Sequence, residues 1–252
     1  MYDGNNINKT MIASWRQTGK FVLLSVGGPN NLWNNAFSSE SNRQNFVNSL
    51  ANLVNISDFD GVDLDIEAYF TTSPRNVANT IKDLRVLFNK FKGKRWITLT
   101  ADCIGVYQGA PVPSPDDTKI QAFNFVVPII QLADDAIDYY NSKAYSNWYD
   151  GYNHTAVEYI QDIYLNWRNL PGMCQGCRPI ANFKGVDGAK ILIGLLASPD
   201  ARTAAEYGGP NLVKNTKAWL LKQGYKVAGF QLWNSYFDKA NGYQVSTTII
   251  GG

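Results

Sequence analysis

The sequence predicts an α/β protein in which a parallel sheet is covered by helices. Three observations predict it. Short apolar runs of buried-strand type recur along the chain. Amphipathic helical stripes separate them. The alternation repeats about six times, with no composition break that would mark a linker.

Each element has its own signal. Asn8 to Gln17 reads as a helix. Lys20 to Val26 is a continuous apolar run, stopped by Gly27-Gly28-Pro29. Ser41 to Val54 carries Phe46, Val47, Leu50, Leu53 and Val54 at helical spacing. Phe59 to Ile66 alternates with the period of a strand. Pro74 opens a helix whose stripe is Val77, Ile81, Leu84, Leu87 and Phe88. Trp96 to Thr100 is a strand, followed by a loop rich in Pro and Gly from Gly105 to Pro115. Ile120 to Leu132 is expected to be helical, with a break at Pro128. Ala136 to Tyr145 reads as strand and Thr155 to Trp167 as helix. Lys190 to Leu196 is a strand, Asn211 to Lys222 a helix ending at Gly224, and Val227 to Trp233 a last strand. After Trp233 no amphipathic pattern follows.

Composition narrows the function classes. The 252 residues suit one large domain or two small ones. Hydrophobic residues at 45% and charged residues at 17% are a globular balance. Lys+Arg 23 against Asp+Glu 21 gives a net charge of +2, which argues against a nucleic-acid partner held by bulk charge. A neutral ligand such as a sugar stays open, and 7 Trp and 14 Tyr offer faces that stack on sugar rings or pack a core. No apolar run approaches the roughly 20 residues that span a bilayer. Met1 is followed by Tyr2-Asp3-Gly4-Asn5-Asn6, which lacks the basic and apolar segments of a secretory signal. Cys174 and Cys177 form half a zinc site at most, and His154 is the sole histidine, so no metal is expected. A loop disulfide fits these two cysteines in a secreted protein, and free thiols fit otherwise. Cys103 is expected in the core.

A doubly wound sheet and an eight-unit barrel both satisfy the alternation. The unusual residues lie at strand carboxyl ends: Gly27-Gly28, Glu67, Tyr145 and Trp233. Barrel active sites sit at those ends. Gly27-Gly28-Pro29 is not a phosphate-binding loop. Both points favour the barrel.

The sharpest feature is Asp60-Gly-Val-Asp63-Leu-Asp65-Ile-Glu67. Alternation in a strand puts Asp63, Asp65 and Glu67 on one face and Val62, Leu64 and Ile66 on the other. Three acids on one side of a buried strand repel one another. Sharing protons and raising at least one pKa relieves that cost, and a raised pKa is what a general acid requires. An acidic edge strand does not explain Val62, Leu64 and Ile66, and no histidine is near for a metal site.

Asp-x-x-Asp-x-Asp-x-Glu on a strand resembles the signature of family 18 glycoside hydrolases, the chitinases and their relatives. Lys20 to Gly28 resembles that family's third strand, and Ile137 to Tyr145 its sixth, which carries a catalytic Tyr. Ala189 to Leu195 resembles the seventh and Gly229 to Trp233 the eighth, whose Trp floors the subsite at the scissile bond. The resemblance implies a TIM-type (β/α)8 barrel and retaining hydrolysis of β-1,4-linked N-acetylglucosamine. In this family the substrate's own acetamide is the nucleophile. Glu67 is then the acid and base. Asp65 holds the acetamide N–H, Asp63 shares a proton with Asp65, and Tyr145 orients the acetamide oxygen. Trp233 stacks under the sugar, and Gly28 and Tyr69 are further substrate-binding positions. Asp60 is expected to be structural, on the same face and deeper in. Trp33, Phe70, Trp148 and Tyr149 lie on expected loops after strand ends, where they suit subsites or packing equally.

The implied partner is chitin or another N-acetylglucosamine-containing glycan, with no cofactor, no metal, no nucleic acid and no membrane. The resemblance also implies export and a monomer when complete. An endo-β-N-acetylglucosaminidase acting on N-glycans, or a non-catalytic chitinase-like binder, are the alternatives. The first recognisable strand matches the family's third, so the barrel is expected to lack its first two strands and its last helix. About six βα units remain, forming a single catalytic barrel domain over residues 1–252, truncated at its amino terminus. Lys143 and Ser146 stand where better-known chitinases carry Met and Asp.

Overall fold

In the computed structural model, residues 7–28, 32–67, 72–118, 123–145, 156–173, 176–202 and 206–251 are described. They form two compact units: Met1–Thr100 with Pro113–Asp138, and Ala101–Val112 with Tyr139–Gly252.

The first unit opens with α1 (Lys9–Gln17), capped by Asn8, whose side chain accepts from the Met11 amide. Strand β1 (Leu23–Gly28) runs parallel to β2 (Gly61–Ile66), with Ser25 opposite Asp63 and Gly27 opposite Asp65. The apolar run of β1 predicts burial, yet its side chains are half-buried or exposed. Its place at the end of the sheet order explains this. Strand β2 is buried on its Val62, Leu64 and Ile66 face, as alternation requires. Gly61 has no room for a side chain, since a Cβ there would stand 2.0 Å from the Trp96 carbonyl oxygen.

Between these strands lie the short α2 (Leu32–Ala36) and α3 (Glu40–Ile56), the latter capped by Ser39. The predicted stripe of α4 (Pro74–Phe88) is buried at Val77, Ile81, Leu84 and Phe88. It packs against α3 and α5 (Val126–Ala133). Pro128 does not break α5. It falls in the first turn, where a missing N–H removes no helical hydrogen bond.

Asp138 ties this unit together. Its carboxylate accepts from the Ile97 amide at 2.9 Å and Arg85 at 2.5 Å, and Lys94 stands 2.9 Å away. The Ile97 amide opens β3 (Trp96–Asp102), so Asp138 fixes where that strand begins. Burial pushes the Asp138 carboxyl up, but the Ile97 amide, Lys94 and Arg85 outweigh it and hold the group below its ordinary value. A folded pKa below the unfolded one gives stability above the unfolded value near 3.9, lost as pH falls through the folded pKa. Asp138→Asn is expected to cost about 2 kcal/mol at pH 7, a fall of roughly 4–8 °C in Tm. Melts from pH 7 down to pH 2 check it: the gap between parent and variant must shrink with acid.

In the second unit β4 (Tyr139–Lys143) pairs in parallel with β5 (Ile191–Leu196), and β5 with β6 (Gly229–Trp233). Helix α6 (Ala156–Trp167) follows β4. Tyr140 of β4 and Tyr164 and Trp167 of α6 are the largest fully buried side chains of this unit. Helix α7 (Gly209–Gln223) ends at Gly224 in the left-handed conformation at φ 67°, as predicted. Two short helices, α8 (Ser235–Ala240) and α9 (Gln244–Ile250), form where the sequence shows no amphipathic stripe. Local bonds hold them instead. Asn234 accepts from the Tyr236 and Phe237 amides, and Lys217 donates to the Thr248 and Ile249 carbonyls.

Within the first unit the strands neighbour one another in the order β1-β2-β3, and within the second in the order β4-β5-β6. Sheet order equal to chain order, with helices between parallel strands, is the TIM-type (β/α) arrangement. It is incomplete: six strands stand among the described residues, against the eight of a closed barrel.

Candidate active site

The register of β1 and β2 builds the acidic cluster. Asp63 and Asp65 project from the half-buried face of β2, and Glu67 follows one residue beyond the strand, also half-buried. Three hydroxyls converge on Asp63. Thr98 and Thr100 donate to Oδ1 at 2.6 and 2.7 Å, and Ser25 donates to Oδ2 at 3.0 Å. Thr98 and Thr100 are buried, so they hold this carboxylate away from bulk water. Sequence reasoning missed them. The signal was there: Thr98 and Thr100 alternate along β3 as Asp63 and Asp65 do along β2.

Gly27 and Gly28 are explained by Asp65. A Cβ on Gly27 would lie 2.1 Å from the Asp65 carbonyl oxygen and 2.8 Å from the Trp33 ring, at a φ of +125° that disfavours other residues. Gly28 faces the acid itself, its missing Cβ falling 3.9 Å from Asp65 Oδ2.

Two expectations are corrected. Asp60 does not lie below Asp63 on the same face. It precedes β2, three residues from Asp63 and so of opposite parity. Its carboxylate accepts from the Val22 amide at 2.8 Å and lies 3.1 Å from Arg16, a structural role as expected. Trp33 is not on a loop. It belongs to α2, is buried, and stacks on Phe37 with edge contact to Phe46.

In the second unit, Tyr145 is buried two residues past the end of β4. Trp233 ends β6 opposite Leu196 and is 46% exposed. Gly194 lies opposite both Lys143 and Gln231. Its missing Cβ leaves room that the Gln231 side chain approaches, at 2.8 Å from Oε1. Lys143 and Asp102 form a buried ion pair at 3.6 Å that the sequence did not announce. Cys103 is buried outside any disulfide and accepts from the Tyr159 hydroxyl at 3.1 Å; burial pushes its thiol up to about 11, so it is unreactive. Cys177 is disulfide-bonded. Tyr69, Phe70, Trp148, Tyr149, His154 and Cys174 lie outside the described residues. Among the described residues no group of three or more His, Cys, Asp or Glu is placed to hold a metal ion. No described helix is long and apolar enough to cross a membrane.

Each unit by itself carries its unusual residues at or just past the carboxyl ends of parallel strands, where (β/α)-barrel enzymes place their chemistry. Residues 4–198 match the family model of glycosyl hydrolases family 18, and the chain belongs to that family. Chitinase ChiA of Flavobacterium johnsoniae is 27% identical over 221 residues, covering 77% of this chain. The chain spans 13% of that curated relative's length. A family GH18 chitinase from Chromobacterium violaceum matches 96% of this chain and 67% of its own, with a TM-score of 0.73 and 19% identity. A fungal endo-β-N-acetylglucosaminidase of the same family matches 97% of this chain and 77% of its own, at a TM-score of 0.69 and 18% identity. At these identities the two structures establish the fold.

Proposed function

We propose that the protein hydrolyses β-1,4-linked N-acetylglucosamine in chitin or its oligomers, with retention of configuration. The single observation that carries this is the acidic strand. Asp63 and Asp65 share one face of β2 with Glu67 just beyond it, and Asp63 is held by three hydroxyls.

Glu67 protonates the glycosidic oxygen. The acetamide oxygen of the same sugar attacks its anomeric carbon, and the C–O bond to the leaving sugar breaks. Asp65 accepts a hydrogen bond from the acetamide N–H and stabilises the positive charge of the oxazolinium ion. Asp63 exchanges a proton with Asp65 as that charge grows and decays. Tyr145 donates its hydroxyl to the acetamide oxygen, and Trp233 stacks under the ring. Water then opens the intermediate while Glu67 takes its proton. Attack by a group already on the substrate is intramolecular, which lowers the barrier by several kcal/mol. Gly28 and Tyr69 are further substrate-binding positions in this reading.

A second reading is hydrolysis at the chitobiose core of N-glycans. It is favoured by the likeness to the fungal endo-β-N-acetylglucosaminidase, with a TM-score of 0.69 beside 0.73 for the Chromobacterium chitinase. The same carboxylates serve both. An extracellular location fits the disulfide at Cys177, since such bonds persist in oxidising compartments. The deciding experiment offers the purified chain a chromogenic N-acetylchitooligosaccharide and, separately, an N-glycosylated protein. Cleavage of the first alone, with the β-anomer formed first by NMR, is the expected result. Release of the glycan instead establishes the second reading, and cleavage of neither overturns both.

A further inference from the structure

Gln231 lies in the middle of β6 and takes no part in the reaction just described. Among the described residues, its Oε1 is buried and meets no hydrogen-bond donor. An amide oxygen has two lone pairs to satisfy, and burying it without a donor is costly. Buried polar atoms are nearly always paired, so an exception calls for a role.

The neighbouring strands leave this side chain its room. Gly194 of β5 stands opposite Gln231, and Leu196 opposite Trp233. A Cβ on Gly194 would lie 2.8 Å from Gln231 Oε1 and 2.8 Å from the Ser142 carbonyl oxygen of β4. The Gln231 amide thus occupies space that any other residue at position 194 would claim. Gln231 and Trp233 are two residues apart within one strand, so alternation turns both to one face. Gln231 is the inner of the two, about 7 Å further from the carboxyl end of β6. All of these residues belong to the second unit.

A pyranose stacked on Trp233 carries its hydroxyls and its acetamide around its rim. A hydroxyl or N–H directed inward along the strand supplies the donor that Oε1 lacks, and an apolar group does not. We propose that Gln231 is a specificity-determining residue, whose Oε1 accepts a hydrogen bond from a hydroxyl or N–H of the sugar on Trp233. The inference rests on the reading under Proposed function. It predicts an opposition between binding and stability that a purely structural glutamine would not show. Gln231→Met keeps the length of the side chain and removes the unsatisfied oxygen, so the free protein loses nothing. The bound sugar loses its acceptor and keeps a desolvated donor.

The test measures binding of N-acetylchitotetraose by calorimetry to Glu67→Gln and to the Glu67→Gln, Gln231→Met double variant, with a melt of each free protein. The Gln231 change is expected to weaken binding about tenfold while the melt falls by no more than about 2 °C. A loss of affinity smaller than about threefold overturns the inference, as does a deeper fall in the melt. If Gln231→Met shows no cooperative melt, Gln231→Leu decides by the same criteria, and failure of both to fold overturns it. Cleavage of a chromogenic N-acetylchitooligosaccharide by the parent, absent in Glu67→Gln, shows that the catalytic reading stands even when the inference fails. A parent no better than Glu67→Gln removes the catalytic reading, and N-acetylchitotetraose that binds neither protein removes the inference with it.

Discussion

Glu67→Gln is expected to lower kcat/KM on N-acetylchitooligosaccharides by at least about a thousandfold while leaving the melting temperature nearly unchanged. The amide has the shape of the acid but cannot give a proton to the glycosidic oxygen. The leaving sugar then departs as an alkoxide, and the barrier rises accordingly. Stability is spared because Glu67 lies beyond the last residue of β2 and is half-buried. A near-isosteric change at such a position falls within about 0.5 kcal/mol. Steady-state kinetics and a thermal melt on the same preparation check both halves. A variant with a tenth or more of parental kcat would remove Glu67 from the role of acid.

Asp63→Ala is expected to damage both fold and turnover. The buried hydroxyls of Thr98 and Thr100, together with Ser25, lose their acceptor at once. Stranding buried donors costs about 1–3 kcal/mol each before relaxation, so a net loss of about 3 kcal/mol is expected. Turnover falls by about a hundredfold, because Asp65 loses its proton partner. Denaturant titration beside initial-rate assays measures the two effects. Thr98→Val is the control: it removes one hydroxyl, leaves the carboxylate, and should cost about 1 kcal/mol with little change in kcat. If Asp63→Ala and Thr98→Val have equal kcat, Asp63 is a structural acceptor alone.

The sequence made the acidic strand legible because two periodicities coincide there. Val62, Leu64 and Ile66 mark one face as core, and that forces Asp63, Asp65 and Glu67 onto the other. The helix α4 was legible for the same reason, through a proline at its start and an apolar stripe along it. Where no such pattern exists, reading failed. Helices α8 and α9 are too short for a stripe and depend on the Asn234 cap and the reach of Lys217. Pro128 was read as a break because its position relative to the first turn cannot be counted before the helix start is known. The expected face of Asp60 fails on parity alone: it stands three residues before Asp63, an odd offset that alternation assigns to the opposite face.

By itself, then, the sequence determined the order of strands and helices, the acidic face of β2 and the candidates Glu67, Tyr145 and Trp233. Those follow from local periodicity, which a chain carries whether or not it is folded. The tertiary structure alone decided what surrounds the acids. The three hydroxyls on Asp63 come from β1 and β3, more than thirty residues away along the chain in each case. The need for glycine at position 27 exists only because β2 lies against it, and the Asp102–Lys143 pair forms only when two strand ends meet. Such contacts are set by strand register and burial, and no pattern within a single segment encodes them.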